Sequence, residues 1–171
     1  MATALFITAK DLKANTLIDG NVDVNKFLQF IKIAQLIHIQ NFLGGKLYDK
    51  ISADILDGAG GGAGLQDPYL SLLKNYIVDM LIHYAMVDYL PFAAYQVANG
   101  GVFKHNSENS ESVTKEEVDS LIDKHRNFAQ FYTRRFIDFM NFNNEQFPEY
   151  NQNQNEDMYP DRDANFTGWV L

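Results

Sequence analysis

The chain has 171 residues, 46% of them apolar and 21% charged, with a formal net charge of −8 and no cysteine. That length suits one domain, which buries roughly two thirds of the surface its unfolded chain would expose. The composition excludes disorder throughout, a disulfide framework, a thiolate metal site and a cysteine nucleophile.

The opening residues carry no basic leader ahead of a longer apolar block, so no signal peptide is expected, and the sequon Asn165-Phe166-Thr167 has no secretory context. Thr8-Ala9-Lys10-Asp11 predicts a helix start, with Thr8 as cap and Asp11 near the positive end of the dipole; this helix ends near Thr16. A second helix, capped by Asp23, runs to Phe42. It is apolar on two faces, Val24, Phe27, Leu28, Ile31, Ala34 and Phe30, Ile33, Ile37, and leaves only a narrow polar strip. Such a helix is buried on most sides, within its own bundle or against a neighbouring subunit. Gly44-Gly45 is expected to stop it, and Lys46 to Leu56 forms a further amphipathic stretch.

Gly58 to Gly64, all glycine and alanine, is expected to be a flexible linker. Asp67-Pro68 then opens a helix whose apolar set, Leu70, Leu73, Tyr76, Ile77, Met80, Leu81 and Tyr84, predicts helix to Ala98, with Pro91 kinking or breaking it near Val87 to Leu90. Residues 102–113 form a polar connection too long for a tight turn. Thr114-Lys115-Glu116-Glu117 is a capping box for the last long helix, to about Phe142. Its aromatics Phe128, Tyr132, Phe136 and Phe139 are assigned to the core, and Phe131 and Phe142 to a second surface.

The fold class is therefore all-α: a bundle of about four to five helices, a long polar loop, extended or hairpin, before the last helix, and an irregular C-terminal tail. Residues 1–144 are the bundle domain and 145–171 the tail. The tail sets six carboxylates against Arg162, a net of −5. It is expected to stay irregular until a partner orders it, and it ends in the apolar tip Phe166, Trp169, Val170 and Leu171. Whether the tip folds onto its own bundle or docks on a neighbour is open at this level.

Chemistry is sparse. His38, His83, His105 and His125 lie far apart, without the helical pairing of a zinc site, and Glu116, Asp119 and Asp123 form a row that reads as a solvated face. The glycine run lacks the Lys-Ser/Thr of a phosphate cradle, and Gly44-Gly45-Lys46 is followed by Leu47. No catalytic, cofactor-binding or metal-binding residue is assigned. Lys124, Arg126, Arg134 and Arg135 are too few, among so many carboxylates, to hold nucleic acid tightly. No segment reaches the ~20 apolar residues of a membrane helix.

Three segments taken together carry a family resemblance. They are Phe6-Ile7-Thr8-Ala9-Lys10-Asp11-Leu12-Lys13, the run from Ile31 to Gln40 leading into Leu43-Gly44-Gly45-Lys46-Leu47-Tyr48-Asp49-Lys50-Ile51, and Gly100-Gly101-Val102-Phe103 with Ser107-Glu108-Asn109-Ser110. In these the chain resembles the small helical head-to-tail connector (adaptor) proteins of tailed bacteriophages, closest to those of the crAss-like group, over residues 6 to about 142; the acidic tail departs from that pattern. The resemblance implies a non-enzymatic virion protein at the head-tail junction, made in the bacterial host cytoplasm. It implies a ring homo-oligomer, a dodecamer, seated between the portal protein and the next tail or ring component, with DNA passing through. Candidate docking residues are Val102, Phe103, Phe131, Phe142, Tyr159, Phe166, Trp169, Val170 and Leu171. The alternatives are a small-molecule-binding bundle, an enzyme using scattered carboxylates with His125, and a bacterial protein-interaction module.

Overall fold

A computed structural model describes residues 4–18, 22–93, 95–98, 101–104, 114–152 and 158–163. Its α-helices are α1 (Ala9–Asn15), α2 (Val24–Ala34), α3 (Gln40–Ala59), α4 (Tyr69–Leu72), α5 (Val78–Tyr89), α6 (Lys115–Asn143) and α7 (Pro148–Asn151). The fold is all-α, with one β-hairpin, β1 (Tyr95–Ala98) and β2 (Gly101–Lys104), in the long connection before α6.

Local chemistry sets the starts. Thr8 and Asp11 form a reciprocal capping box at α1, as do Thr114 and Glu117 at α6, while Asp23 accepts from Asn25 N–H at α2. Each satisfies backbone donors that a first turn leaves without partners. Pro91 ends α5 as expected: the chain tightens into the 3₁₀ turn Leu90–Phe92. The helix predicted to Ala98 is corrected here, because residues 95–98 are β1, paired antiparallel with β2 from Tyr95↔Lys104 to Ala98↔Gly101. That register leaves a two-residue connection, and Asn-Gly at such a position is a strong hairpin signal that the helical spacing obscured.

α5 is the centre of the bundle, packed on one flank by α2 and on the other by α6. On the α2 flank Tyr89 meets the rings of Phe27 and Phe30 edge-on. On the α6 flank Tyr76 stacks on Phe139 and the Tyr84 hydroxyl lies 3.1 Å from Thr133 Oγ1. The core from α6 comprises Ala129, Thr133, Phe136, Ile137 and Met140. Between α2 and α3 a π turn, Gln35–Ile39, inserts a residue into the helical register. It buries Gln35 fully, and the Gln35 amide is saturated: Oε1 accepts from Phe6 N–H (2.8 Å), and Nε2 donates to Ala4 C=O (2.8 Å) and to Tyr48 Oη (2.9 Å). That side chain pins the segment ahead of α1 to the bundle.

Gly44 interrupts α3 with φ 74° and ψ 161°, a conformation that favours glycine. The predicted stop is thus a kink, and helix resumes at once. In an unbroken helix Gly45 N–H would donate to Asn41 C=O. Here Gly45 N–H donates to Met158 C=O (2.8 Å) and Asn41 C=O accepts from Asp161 N–H (2.8 Å). A strand-like piece of the tail therefore bridges the broken helical bond and satisfies both of its orphaned groups.

The expectation that the chain beyond residue 143 stays irregular until a partner orders it is corrected for residues 144–152. They form a 3₁₀ turn (Asn144–Gln146) and α7, and Phe147 and Tyr150 are fully buried core residues. Phe147 meets Tyr69 and Phe139 edge-on, Tyr150 meets Phe136, and the Tyr69 hydroxyl donates to Glu149 (2.6 Å). The reason is two large side chains in a polar segment, each gaining ~1.5–3 kcal/mol by burial. Residues 158–163 have no regular secondary structure, but Arg162 fixes them: its guanidinium lies 4.6 Å from the Tyr150 ring centroid and donates to Tyr150 C=O and Asn151 Oδ1, both at 2.9 Å.

The glycine run is not a free linker either. It wraps back on the end of α3, where Gly62 N–H donates to Asp57 C=O (2.8 Å) and Gly64 N–H to the Asp57 carboxylate (3.3 Å). Gly61 and Gly64 have φ of 91° and 67°, and a Cβ on Gly62 would collide with the Asp57 carboxylate. Gly61 and Gly64 are favoured by conformation and Gly62 by the room it leaves for Asp57, so composition alone misled.

Candidate functional site

Among the described residues, two helical stripes of exposed apolar side chains stand out, one on α6 and one where α2 runs into the π turn. The first is on α6, where Leu121, Phe128 and Phe142 recur at multiples of seven residues and Phe131 lies three beyond Phe128. That spacing keeps them on one side of a helix. Phe128, Phe131 and Phe142 are 50%, 61% and 89% exposed. The core residues of α6 face the other way, so this helix has two apolar faces and the bundle uses one. Exposed Lys124, Arg134 and Arg135 border the outer stripe, and the Arg135 guanidinium sits 5.1 Å from the Tyr76 ring.

The second surface lies where α2 runs into the π turn. Ile33, Leu36 and Ile37, at spacings of three and four, are all exposed, Ile37 to 60%. The extra residue of the π turn rotates the inward register from Ala34 to Gln35 and Ile39, which leaves Leu36 and Ile37 facing out.

Of the docking residues named from sequence, Phe131 and Phe142 lie together on the α6 stripe. Tyr159 is exposed on the tail segment, 5.0 Å beneath the Arg162 guanidinium. Val102 and Phe103 lie on β2, opposite Val97 and Gln96. Phe166, Trp169, Val170 and Leu171 lie outside the described residues. Phe128 was assigned to the core face and instead stands half in solvent. Leu121, Ile33, Leu36 and Ile37 were not named, although the second apolar face of the second helix was the signal for Ile33 and Ile37.

The structure also assembles polar groups that lie far apart in sequence. His83 of α5 and His125 of α6 approach Nδ1 to Nδ1 at 3.0 Å. Tyr132 stacks on His83 at 5.5 Å, and Phe128 touches the same ring at 5.1 Å. Burial pushes both imidazoles below their ordinary range; for His83 the neighbouring His125 adds to burial and takes it to about 4. On the opposite flank His38, in the π turn, stacks on Tyr84 at 4.2 Å and places Nε2 3.3 Å from Asp88 Oδ2.

The acidic row of α6 does not converge: Asp123 pairs with Arg126 at 2.6 Å on the surface. Among the described residues no three His, Asp or Glu side chains are grouped to hold a metal ion, and no helix is long and apolar enough to cross a membrane.

Residues 39–159, more than half of the chain, match the model of a family described as a family of unknown function (DUF6712). No curated protein and no solved structure matches the chain. The matched span takes in the kink at Gly44, α5, all of α6 and the segment that buries Phe147 and Tyr150, and by this match the chain belongs to the DUF6712 family.

Proposed function

We propose that this protein is a structural, non-enzymatic ring component of a phage virion, a head-to-tail connector. It would sit between the portal protein and the next tail or ring component, as a dodecamer around the passage for DNA. The observation that carries the reading is the pair of different apolar faces on the two flanks of α5, Ile33-Leu36-Ile37 and Leu121-Phe128-Phe131-Phe142. Two unlike faces on one subunit fit a heterologous contact, in which one face of a copy meets the other face of the next, and such contacts close into rings when the rotation per step allows. A self-complementary dimer needs only one face. The β-hairpin adds an element whose two strands pair with each other, and in this reading it meets an adjoining component. A net charge of −8 suits a channel wall that DNA crosses without adhering.

The test uses one-face variants of the full chain. Ile37→Asp and Phe131→Asp should each stop assembly of the protein, alone or on purified portal rings, as seen by mass photometry and electron microscopy. An equimolar mixture of the two should form dimers and nothing larger, since each variant retains the face that the other lacks. Self-association of Ile37→Asp at the wild-type level, or a wild-type protein that stays monomeric even with portal rings, would overturn the reading.

A further inference from the structure

In the His83–His125 contact two basic titratable side chains meet across a helix seam. At 3.0 Å the Nδ1 atoms are hydrogen-bonded, which requires one ring to donate and the other to accept. The accepting ring must be neutral. Both rings are partly buried, between Tyr132 and Phe128.

The charged groups around the pair offer no compensation. On α5, Asp79 lies one turn before His83, and Asp88 is turned to His38. On α6, Lys124 adjoins His125, Asp123 is taken by Arg126, and Arg134 and Arg135 lie beyond Tyr132. The 3₁₀ turn Leu90–Phe92, which also packs on α6, has no charge, and the π turn Leu73–Ile77 brings only Lys74. Neither imidazole has an ion-pair partner among the described residues. Two protons on this pair would place like charges at hydrogen-bond distance in a partly buried seam, where repulsion is screened less than in open water. His38 differs, because its Nε2 lies 3.3 Å from the Asp88 carboxylate.

We propose that His83 and His125 form a proton-operated latch on the α5–α6 seam, closed while one ring of the pair is neutral and forced open when both carry a proton. Phe128, which touches both rings and belongs to the outer α6 stripe, couples the latch to that face. Acid then disorders the outer α6 stripe before it unfolds the bundle. The sign follows from the depressed values of both rings. Their contribution to stability is complete above the unfolded histidine range near ~6.5 and is lost as pH falls toward about 4, because the open state binds more protons.

The latch is independent of the connector reading and is tested on the unassembled protein. In native full-length protein, NMR titration should show both imidazoles protonating well below the ordinary range, His83 last. Hydrogen exchange of amides 121–133, corrected for the intrinsic pH dependence, should accelerate roughly tenfold per pH unit between about 6 and 4.5. His125→Gln retains a hydrogen-bonding partner for His83 and removes one titrating ring and the like charge, so in that variant the acceleration should be clearly weaker, with only the burial of His83 left to drive it. Ordinary titration of both histidines, or wild type and His125→Gln with the same pH dependence of exchange, would refute the proposal, as would uniform acceleration across every helix.

Discussion

α6 carries the same kind of residue on two sides and meets different fates on each. Its inner face, Ala129, Thr133, Phe136, Ile137 and Met140, is closed off by α5 and by Tyr150. Its outer face, Leu121, Phe128, Phe131 and Phe142, is left to solvent; the ring contact of Phe131 is with Tyr132 of the same helix, and Phe142 has no ring partner among the described residues. Both stripes are aromatic-rich and both follow helical spacing. The difference teaches that spacing states which residues travel together, while only the arrangement of neighbours states which stripe becomes core. Stability lives on the inner face, and association is proposed for the outer.

The strongest way to break the comparison is to remove what closes the inner face from outside. Deleting residues 145–171 exposes the sites of Phe147 and Tyr150 and unpairs the groups of Asn41 and Gly45 that the tail satisfies. Two buried aromatics at ~1.5–3 kcal/mol each, with two backbone hydrogen bonds at ~0.5–1.5 kcal/mol each, predict a loss of roughly 5 kcal/mol. Urea unfolding followed by circular dichroism measures it. A deletion that melts like the full chain would mean that the tail is not part of the core.

A single substitution on the inner face should cost somewhat less. Phe136→Ala leaves a cavity at a fully buried position and is expected to destabilise by ~3–5 kcal/mol, read as a fall in the urea midpoint at unchanged slope. The outer face supplies the smallest stability effect and the sharpest contrast. Phe142→Ser should change the unfolding free energy by no more than ~0.5 kcal/mol while weakening assembly in the same sedimentation experiment that scores the wild type. If Phe142→Ser destabilises as much as Phe136→Ala, the two faces are not distinct.

Local signals were legible from residues alone. The boxes Thr8–Asp11 and Thr114–Glu117, the Asp23 cap and the end of α5 at Pro91 each depend on groups within four residues of one another. The all-α class followed from apolar spacing, and the exposure of Phe131 and Phe142 from their place at the edge of a stripe. The hairpin was only half legible, since an Asn-Gly signal competed with a helical pattern that ran through it.

What the sequence by itself determined is therefore the set of elements, their ends and the faces that seek burial, because backbone capping and side-chain periodicity act over a turn or two. Tertiary structure alone decided the rest. It chose the inner stripe of α6, brought His83 to His125 across 42 positions, and bridged Asn41 to Asp161 across 120. It also made core of Phe147 and Tyr150 within a segment whose composition reads as polar tail. Such pairings depend on which of several equivalent apolar surfaces meet, and on which orphaned backbone groups a distant segment reaches. Neither is written in the spacing of any one stretch of chain.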